Sequence, residues 1–312
     1  MGAASILIVH PDRKIQRTVQ RILGGTGHAV DVADDLEQAV RLLTHLSPVL
    51  VVADGSAMAS PSVEEFLAAA RARGAEACMT LVGPSQLEHM PRILGLGAVT
   101  NLLVHPMPVL GEELTITAQK LLRDDLFGLE KYLLWGTELC TTTLTRSSQR
   151  PQVVGELAEQ IKSRGQSARV ASAAMLAADE LISNAVHNAP VDEAGGHYRA
   201  DVPRDTDLPL DGRHEIVLRW GCDGRYVALE VSDRFGSLGR DRVLQALAQS
   251  DVKDQGSGAG MGIALTYRSC DHLVFNLAPG RRTEVIALLD VRQPVIERGP
   301  ASSFNVFVER DR

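Results

Sequence analysis

The stretch Val49-Leu-Val-Val-Ala-Asp54 decides the first half of the chain. Five apolar residues end in one carboxylate, the pattern of a strand buried on both faces of a parallel sheet. Outward from it, Ser5–Val9 (SILIV) and His28–Ala33 (HAVDVA) read as strands. So do Cys78–Gly83 (CMTLVG) and Asn101–Val104 (NLLV). Between them lie helical patterns, such as Lys14–Leu23, which sets Ile15, Val19, Ile22 and Leu23 on one face. Five βα units in succession predict a parallel sheet with helices on both faces and right-handed crossovers. In such sheets ligands gather at the carboxyl ends of the strands, which points to Asp54.

The chain has 312 residues, 45% hydrophobic and 23% charged, with a net charge of −7. That length suggests two domains, and the acidic balance disfavours direct nucleic-acid binding. Cys78, Cys140, Cys222 and Cys270 are scattered, with no CxxC pair, so neither a zinc site nor a disulfide framework is indicated. The opening run reads as a first strand rather than a signal peptide. No apolar run is long enough to span a bilayer. A cytoplasmic protein with no membrane partner is the expectation.

Residues 109–147 turn helical in pattern, with Leu126, Phe127, Leu129, Tyr132, Leu133 and Trp135 concentrated together as a connector or a dimer seam. The boundaries read as 1–122 for the first domain and 123–150 for a helical connector. A second domain follows over 151–295, then a tail over 296–312 that pairs as a strand or frays. Helices at 152–164 and 167–189 precede two hairpins, Glu215–Asp233 with its Cys222-Asp-Gly-Arg225 turn and His272–Val291. Helices followed by antiparallel strands predict an α+β sandwich.

Three separated signals in the second half carry chemistry. In DELISNAVHNA (179–189), Glu180 and Asn184 share a helix face and Asn188 continues it, a spacing an ordinary exposed face also produces. Asp233 ends the alternating strand VALEVSD on the side of Val227, Leu229 and Val231, where a carboxylate needs a partner or a helix N-terminus to cap. In GSGAGMGIALTY (256–267), Gly256, Gly258, Gly260 and Gly262 alternate before an apolar helix, an arrangement that lets backbone N–H groups approach phosphates. No Lys-Ser/Thr follows, which excludes a Walker loop, and the spacing is not GxGxxG.

Residues 5–122 resemble the receiver domains of response regulators, a flavodoxin-like five-stranded parallel sheet. Asp54 occupies that family's phospho-acceptor position. The family's acidic pair is His10-Pro11 followed by Asp12 here, and its Lys-Pro is His105-Pro106. Two acids fewer weaken Mg²⁺ binding, and a neutral His balances phosphoryl charge poorly. A pseudo-receiver that docks partners or dimerises is the leading expectation.

The order of signals across 175–290 resembles the GHKL (Bergerat) ATP-binding domains, two-layer α+β sandwiches. The resemblance implies ATP and Mg²⁺ as ligands. Asn184 would hold the ion and Glu180 would be a general base. Asp233 would meet the adenine amino group, with Gly236, Gly258, Gly260, Gly262, Asn188 and Thr283 completing the site. The family's Asp-x-Gly-x-Gly is Asp233-Arg-Phe-Gly236-Ser here, which alters the lower edge of an adenine pocket. Histidine kinases carry a substrate His before this domain, and residues 109–172 contain none. The chain is therefore more similar to anti-sigma serine kinases. A protein serine or histidine kinase is implied, acting on a sigma factor, an anti-sigma antagonist or a response regulator. The alternatives are an ATP-dependent binding switch without phosphoryl transfer and a trans-acting histidine-kinase-like protein.

Overall fold

The computed structural model describes residues 5–96, 99–104, 111–248, 261–292 and 302–310. His105, Pro106, Gly256, Gly258 and Gly260 lie outside the described residues. The chain divides into two compact units, 1–126 with 303–305, and 127–302 with 306–312.

In unit 1 the strands β1 (Ser5–Val9), β2 (Ala29–Ala33), β3 (Pro48–Asp54), β4 (Ala77–Val82) and β5 (Asn101–Val104) pair in parallel. Their order is β2-β1-β3-β4-β5. That order is the flavodoxin-like one, a receiver-like fold at the N-terminal side of the chain. Helices α1 (Arg13–Gly24) and α6 (Gly111–Arg123) cover one face. Ile15, Val19, Leu23, Leu114 and Ala118 pack there on Ile6, Ile8, Leu50, Val52, Met79 and Leu81. The opposite parity, Leu7, Val9, Val51 and Ala53, is also buried, as a doubly covered parallel sheet requires. Helices α2 (Leu36–Leu43), α3 (Gly55–Met58), α4 (Val63–Ala72) and α5 (Met90–Gly95) complete the crossovers. The returning segment Ser303–Asn305 pairs antiparallel with β5.

Unit 2 holds β6 (Leu139–Leu144), β7 (Ile216–Cys222), β8 (Tyr226–Asp233), β9 (His272–Ala278) and β10 (Arg282–Asp290), all paired antiparallel in the order β9-β10-β8-β7-β6. The β7–β8 turn uses Gly224 at φ 85, with Asp223 Oδ1 accepting from the N–H groups of Arg225 and Tyr226. Helix α7 (Arg150–Ser163) packs on α8 (Ala168–His187), which lies on the sheet. Ser167 caps α8 through the N–H of Val170 at 3.3 Å. Its alanines 171, 174, 177, 178 and 185 are buried, small enough for close approach to β8 and β10. Helix α10 (Met261–Ser269) packs on α8, and α9 (Arg240–Ala248) packs on α10.

The helical connector expected over 123–150 is corrected. Helix α6 stops at Arg123, and Asp124 turns the chain at φ 55. Only one 3₁₀ turn, Leu129–Tyr132, follows before β6. Three consecutive threonines favour the strand. The apolar spacing in 126–133 marks contact with the sheet rather than a helix, since Leu129 and Tyr132 are buried. The tail supplies β11 (Ser303–Val308).

Beneath that 3₁₀ turn, β8 and β10 present two buried carboxylates. Glu284 accepts from Gly128 N–H at 2.9 Å and Asn276 Nδ2 at 2.7 Å, and Glu230 accepts from Leu129 N–H at 3.2 Å. Arg282 Nη2 reaches both, at 2.5 Å from Glu284 and 3.5 Å from Glu230, and Arg219 reaches Glu230 at 3.2 Å. Burial, then the Glu284 charge, pushes the Glu230 carboxyl up to about 7, against Arg219 and Arg282. A carboxyl raised above its ordinary 4.5 stabilises the fold most below that pH, and the contribution is lost as pH rises through about 7. The melting temperature of Glu230→Gln relative to wild type should therefore climb across this window. A difference that stays constant with pH would refute the assignment.

Candidate functional site

In unit 1, Asp54 is buried at the end of β3 and caps α3, its Oδ2 accepting from Ser56 N–H at 2.9 Å. Gln86 Nε2 donates to its Oδ1 at 2.6 Å, and His10 Nε2 lies 3.2 Å from the same atom. The N–H of Asp12 donates to His10 Nδ1 at 2.9 Å, which places the ring proton on Nε2, facing Asp54. Burial holds His10 below its ordinary pKa although Asp54 and Asp12 pull upward, so the neutral ring suffices. Asp12 is turned elsewhere, capping α1 through the N–H of Lys14 at 2.7 Å. Asp54 is thus enclosed by the chain's own donors. Gln86 gave no sequence signal, because its 3₁₀ turn at 84–89 follows the strand end rather than a motif. Among the described residues no three His, Cys, Asp or Glu side chains are grouped to hold a metal ion.

In unit 2 a small cavity of about 60 Å³, opening on a mouth that brings the empty space to about 670 Å³, lies between α8 and the β8–β10 ladder. Asn184, Asn188, Asp233 and Thr283 all line it. Leu181, Ala185, Val231, Ile263, Phe275 and Val285 make its walls apolar. Apolar walls with a few convergent polar groups are the usual form of a small-molecule site. Asp233 and Thr283 are direct partners across the ladder, which brings residues fifty positions apart together by register.

Asp233 Oδ1 accepts from the N–H groups of Phe235 at 2.8 Å and Gly236 at 3.2 Å. Burial pushes its pKa up, and these N–H groups oppose the shift. Its other oxygen is left for the cavity. Thr283 Oγ1 is buried without a hydrogen-bond partner; its nearness favours the charged carboxylate without reaching bonding geometry. Phe235 does not line the cavity. Its ring packs beneath Arg213, 4.7 Å away, and His214, 5.3 Å away. Gly236 makes the turn instead, at φ 59, and Ser237 Oγ donates to Ala189 O at 2.7 Å, tying the loop to the end of α8.

Asn184 Oδ1 accepts from Asn188 Nδ2 at 2.8 Å, while its own Nδ2 is buried without a partner. Glu180 is half-buried one turn earlier. Desolvation, then Asp179, raises its pKa against Arg150 and Arg204. Gly262 meets both: a Cβ there would lie 2.5 Å from Glu180 Oε2 and 3.2 Å from Asn184 Nδ2. Glu180 and Gly262 thus stand beside the cavity rather than in its lining, and Gly236 sits on its outer side. His197, Ser237 and Arg242 also line the cavity and were not foreseen. They come from irregular segments or a helix start, where no periodicity betrays a direction. His197 is placed by its Nδ1, 2.6 Å from Asn188 O.

A Cβ at Gly236 would fall 2.6 Å from Arg281 N and 2.7 Å from Arg282 N, backbone that cannot yield. Gly236→Ala should cost more than about 2 kcal/mol in urea denaturation. Gly239→Ala, with open space at its Cβ, should be near neutral. Equal stabilities for the two variants would contradict this packing.

No protein-family model matches the sequence, and no curated protein matches it. Among solved structures, the chain is similar to the receiver domain of a Francisella response regulator. The identity is 19%, over 39% of this chain and 98% of that one, with a TM-score of 0.31. A response regulator receiver domain protein from Methanospirillum hungatei matches at 21% identity, over 39% of this chain and 96% of that one, with a TM-score of 0.32. A response regulator receiver protein from Sinorhizobium medicae matches at 17% identity, over 39% of this chain and 96% of that one, with a TM-score of 0.32.

Proposed function

We propose that unit 2 binds ATP with Mg²⁺ as a GHKL-type domain, and that the chain is a signalling regulator whose receiver-like unit docks a partner. One observation carries this reading: Asn184, Asn188, Asp233 and Thr283, drawn from three separate segments, line a single apolar cavity. The donor set suits an aminopurine. A buried carboxylate keeps one oxygen for an amino group, and the unpartnered Thr283 hydroxyl offers a second contact. Asn184 would hold the ion through Oδ1. Glu180, raised by burial and without a hydrogen-bonded partner among the described residues, suits a base that takes a hydroxyl proton from a serine on a regulatory protein.

Calorimetry with Mg·ATP tests the reading. Asp233→Ala should weaken binding about 10- to 100-fold, the worth of a buried charged hydrogen bond. Glu180→Gln should bind normally and fail to transfer label to a partner. Absence of heat with every adenine nucleotide would overturn the proposal. A second reading, an ATP switch without transfer, is favoured by the Asn184–Asn188 bond, which satisfies Oδ1 within the chain. It predicts binding with no labelling in wild type.

Unit 1 is read as a docking module because Asp54 is already bound by His10, Gln86 and Ser56. Incubation with acetyl phosphate and Mg²⁺ should leave the intact mass unchanged. A phosphoryl adduct lost in Asp54→Asn would reverse that reading.

A further inference from the structure

Arginines gather on the side of α8 turned from the cavity. Arg150 Nε lies 3.1 Å from Asp179 Oδ1. Arg204 Nη1 donates to Ser183 O and Oγ, each at 3.3 Å. Asp179 and Ser183 are one helical turn apart, so the guanidinium groups anchored on them are neighbours. Arg199, from the same loop as Arg204, is buried, with Nη2 on Pro209 O at 3.2 Å and Nη1 without a partner. Its charge adds to the field. His187, one turn beyond Ser183, is pushed down to about 4, first by burial and then by Arg204, with Arg150 and Arg199 contributing. Asp179 and Glu180 stand among these arginines, and Asp201 and Asp205 flank Arg204 along the chain.

The position is informative. At about 100° per residue, Leu181, Asn184, Ala185 and Asn188 form the strip facing the cavity. Asp179 and Ser183 point well away from that strip, and Glu180 lies on the edge between. None of the three arginines lines the cavity. Glu180 therefore has the cavity on one side and the arginines on the other.

We propose that Arg150 and Arg204 form an acceptor-side subsite that binds carboxylates of an acidic segment of a partner protein and sets its serine beside Glu180. The inference rests on reading Glu180 as a base, and it names the substrate class of that site. A guanidinium fork pairs with a carboxylate in a bidentate, charge-assisted way. Arg204 is exposed, and its hydrogen bonds go to neutral oxygens of Ser183, with the Glu180 charge acting on it as well.

The test is fluorescence anisotropy with two labelled peptides, one with a serine flanked by glutamates and one flanked by lysines, with and without Mg·ATP. Wild type should bind the acidic peptide, and rising salt should weaken it. The lysine peptide should not bind. Arg204→Glu, and the double variant Arg150→Gln with Arg204→Gln, should each weaken acidic-peptide binding about tenfold or more. Their Mg·ATP affinity should remain within about twofold of wild type. Arg204→Glu keeps the test valid should the double variant fail to fold, since Arg204 is exposed. Equal binding of both peptides, or of the acidic peptide to wild type and Arg204→Glu, overturns the subsite. So does a variant that loses Mg·ATP affinity while keeping the peptide, which would assign the arginines to nucleotide phosphate. Peptide binding without any nucleotide binding would sustain the subsite and sink only the ATP reading.

Discussion

A carboxylate taken out of water must be given donors, and Asp233 receives two N–H groups on one oxygen only. That half-satisfied state organises unit 2. The two donors come from the turn that begins at Asp233 itself, so the group that needs stabilising also shapes the loop that supplies it. The turn then requires a left-handed residue, which Gly236 provides. Ser237 fastens the next step of the loop to the end of α8. The ladder places Thr283 opposite. What remains is one oxygen and one hydroxyl in the lining of an apolar space.

Unit 1 treats its own strand-end carboxylate in the opposite way. Asp54 is surrounded on both oxygens by His10, Gln86 and Ser56. The Asp12 backbone determines which ring nitrogen of His10 carries the proton, and burial keeps that ring neutral. One strand-end carboxylate is thus held on both oxygens and the other on one. The difference lies in which neighbours reach each rather than in the sheet.

Much of unit 1 was legible because each buried strand is a continuous apolar run and each helix repeats at three and four. Asn184 and Asp233 were legible for a related reason: one follows helical spacing and the other strand alternation. The segment after Arg123 misled because Leu126, Leu129 and Tyr132 mimic a helical stripe while packing on a sheet, and the Thr141–Thr143 run that marks β6 is short. Gln86, His197 and Ser237 act from segments without period, so their directions depend on tertiary placement alone. Glu230 and Glu284 were hidden for another reason. Alternation assigns charged positions in a strand to solvent, yet both are buried beneath the chain that passes over them.

Those two glutamates have a mechanical meaning. Each alternates along its strand with cavity-lining neighbours, Val231 and Asp233 on β8, Thr283 and Val285 on β10. The peptide N–H groups of Gly128 and Leu129 are clasped on the reverse side of those same strands. Floor and fastening are therefore two surfaces of one thin plate. Phe127, whose ring lies 4.7 Å beneath the Arg282 guanidinium, ties the start of this clasped segment to the residue next to Thr283.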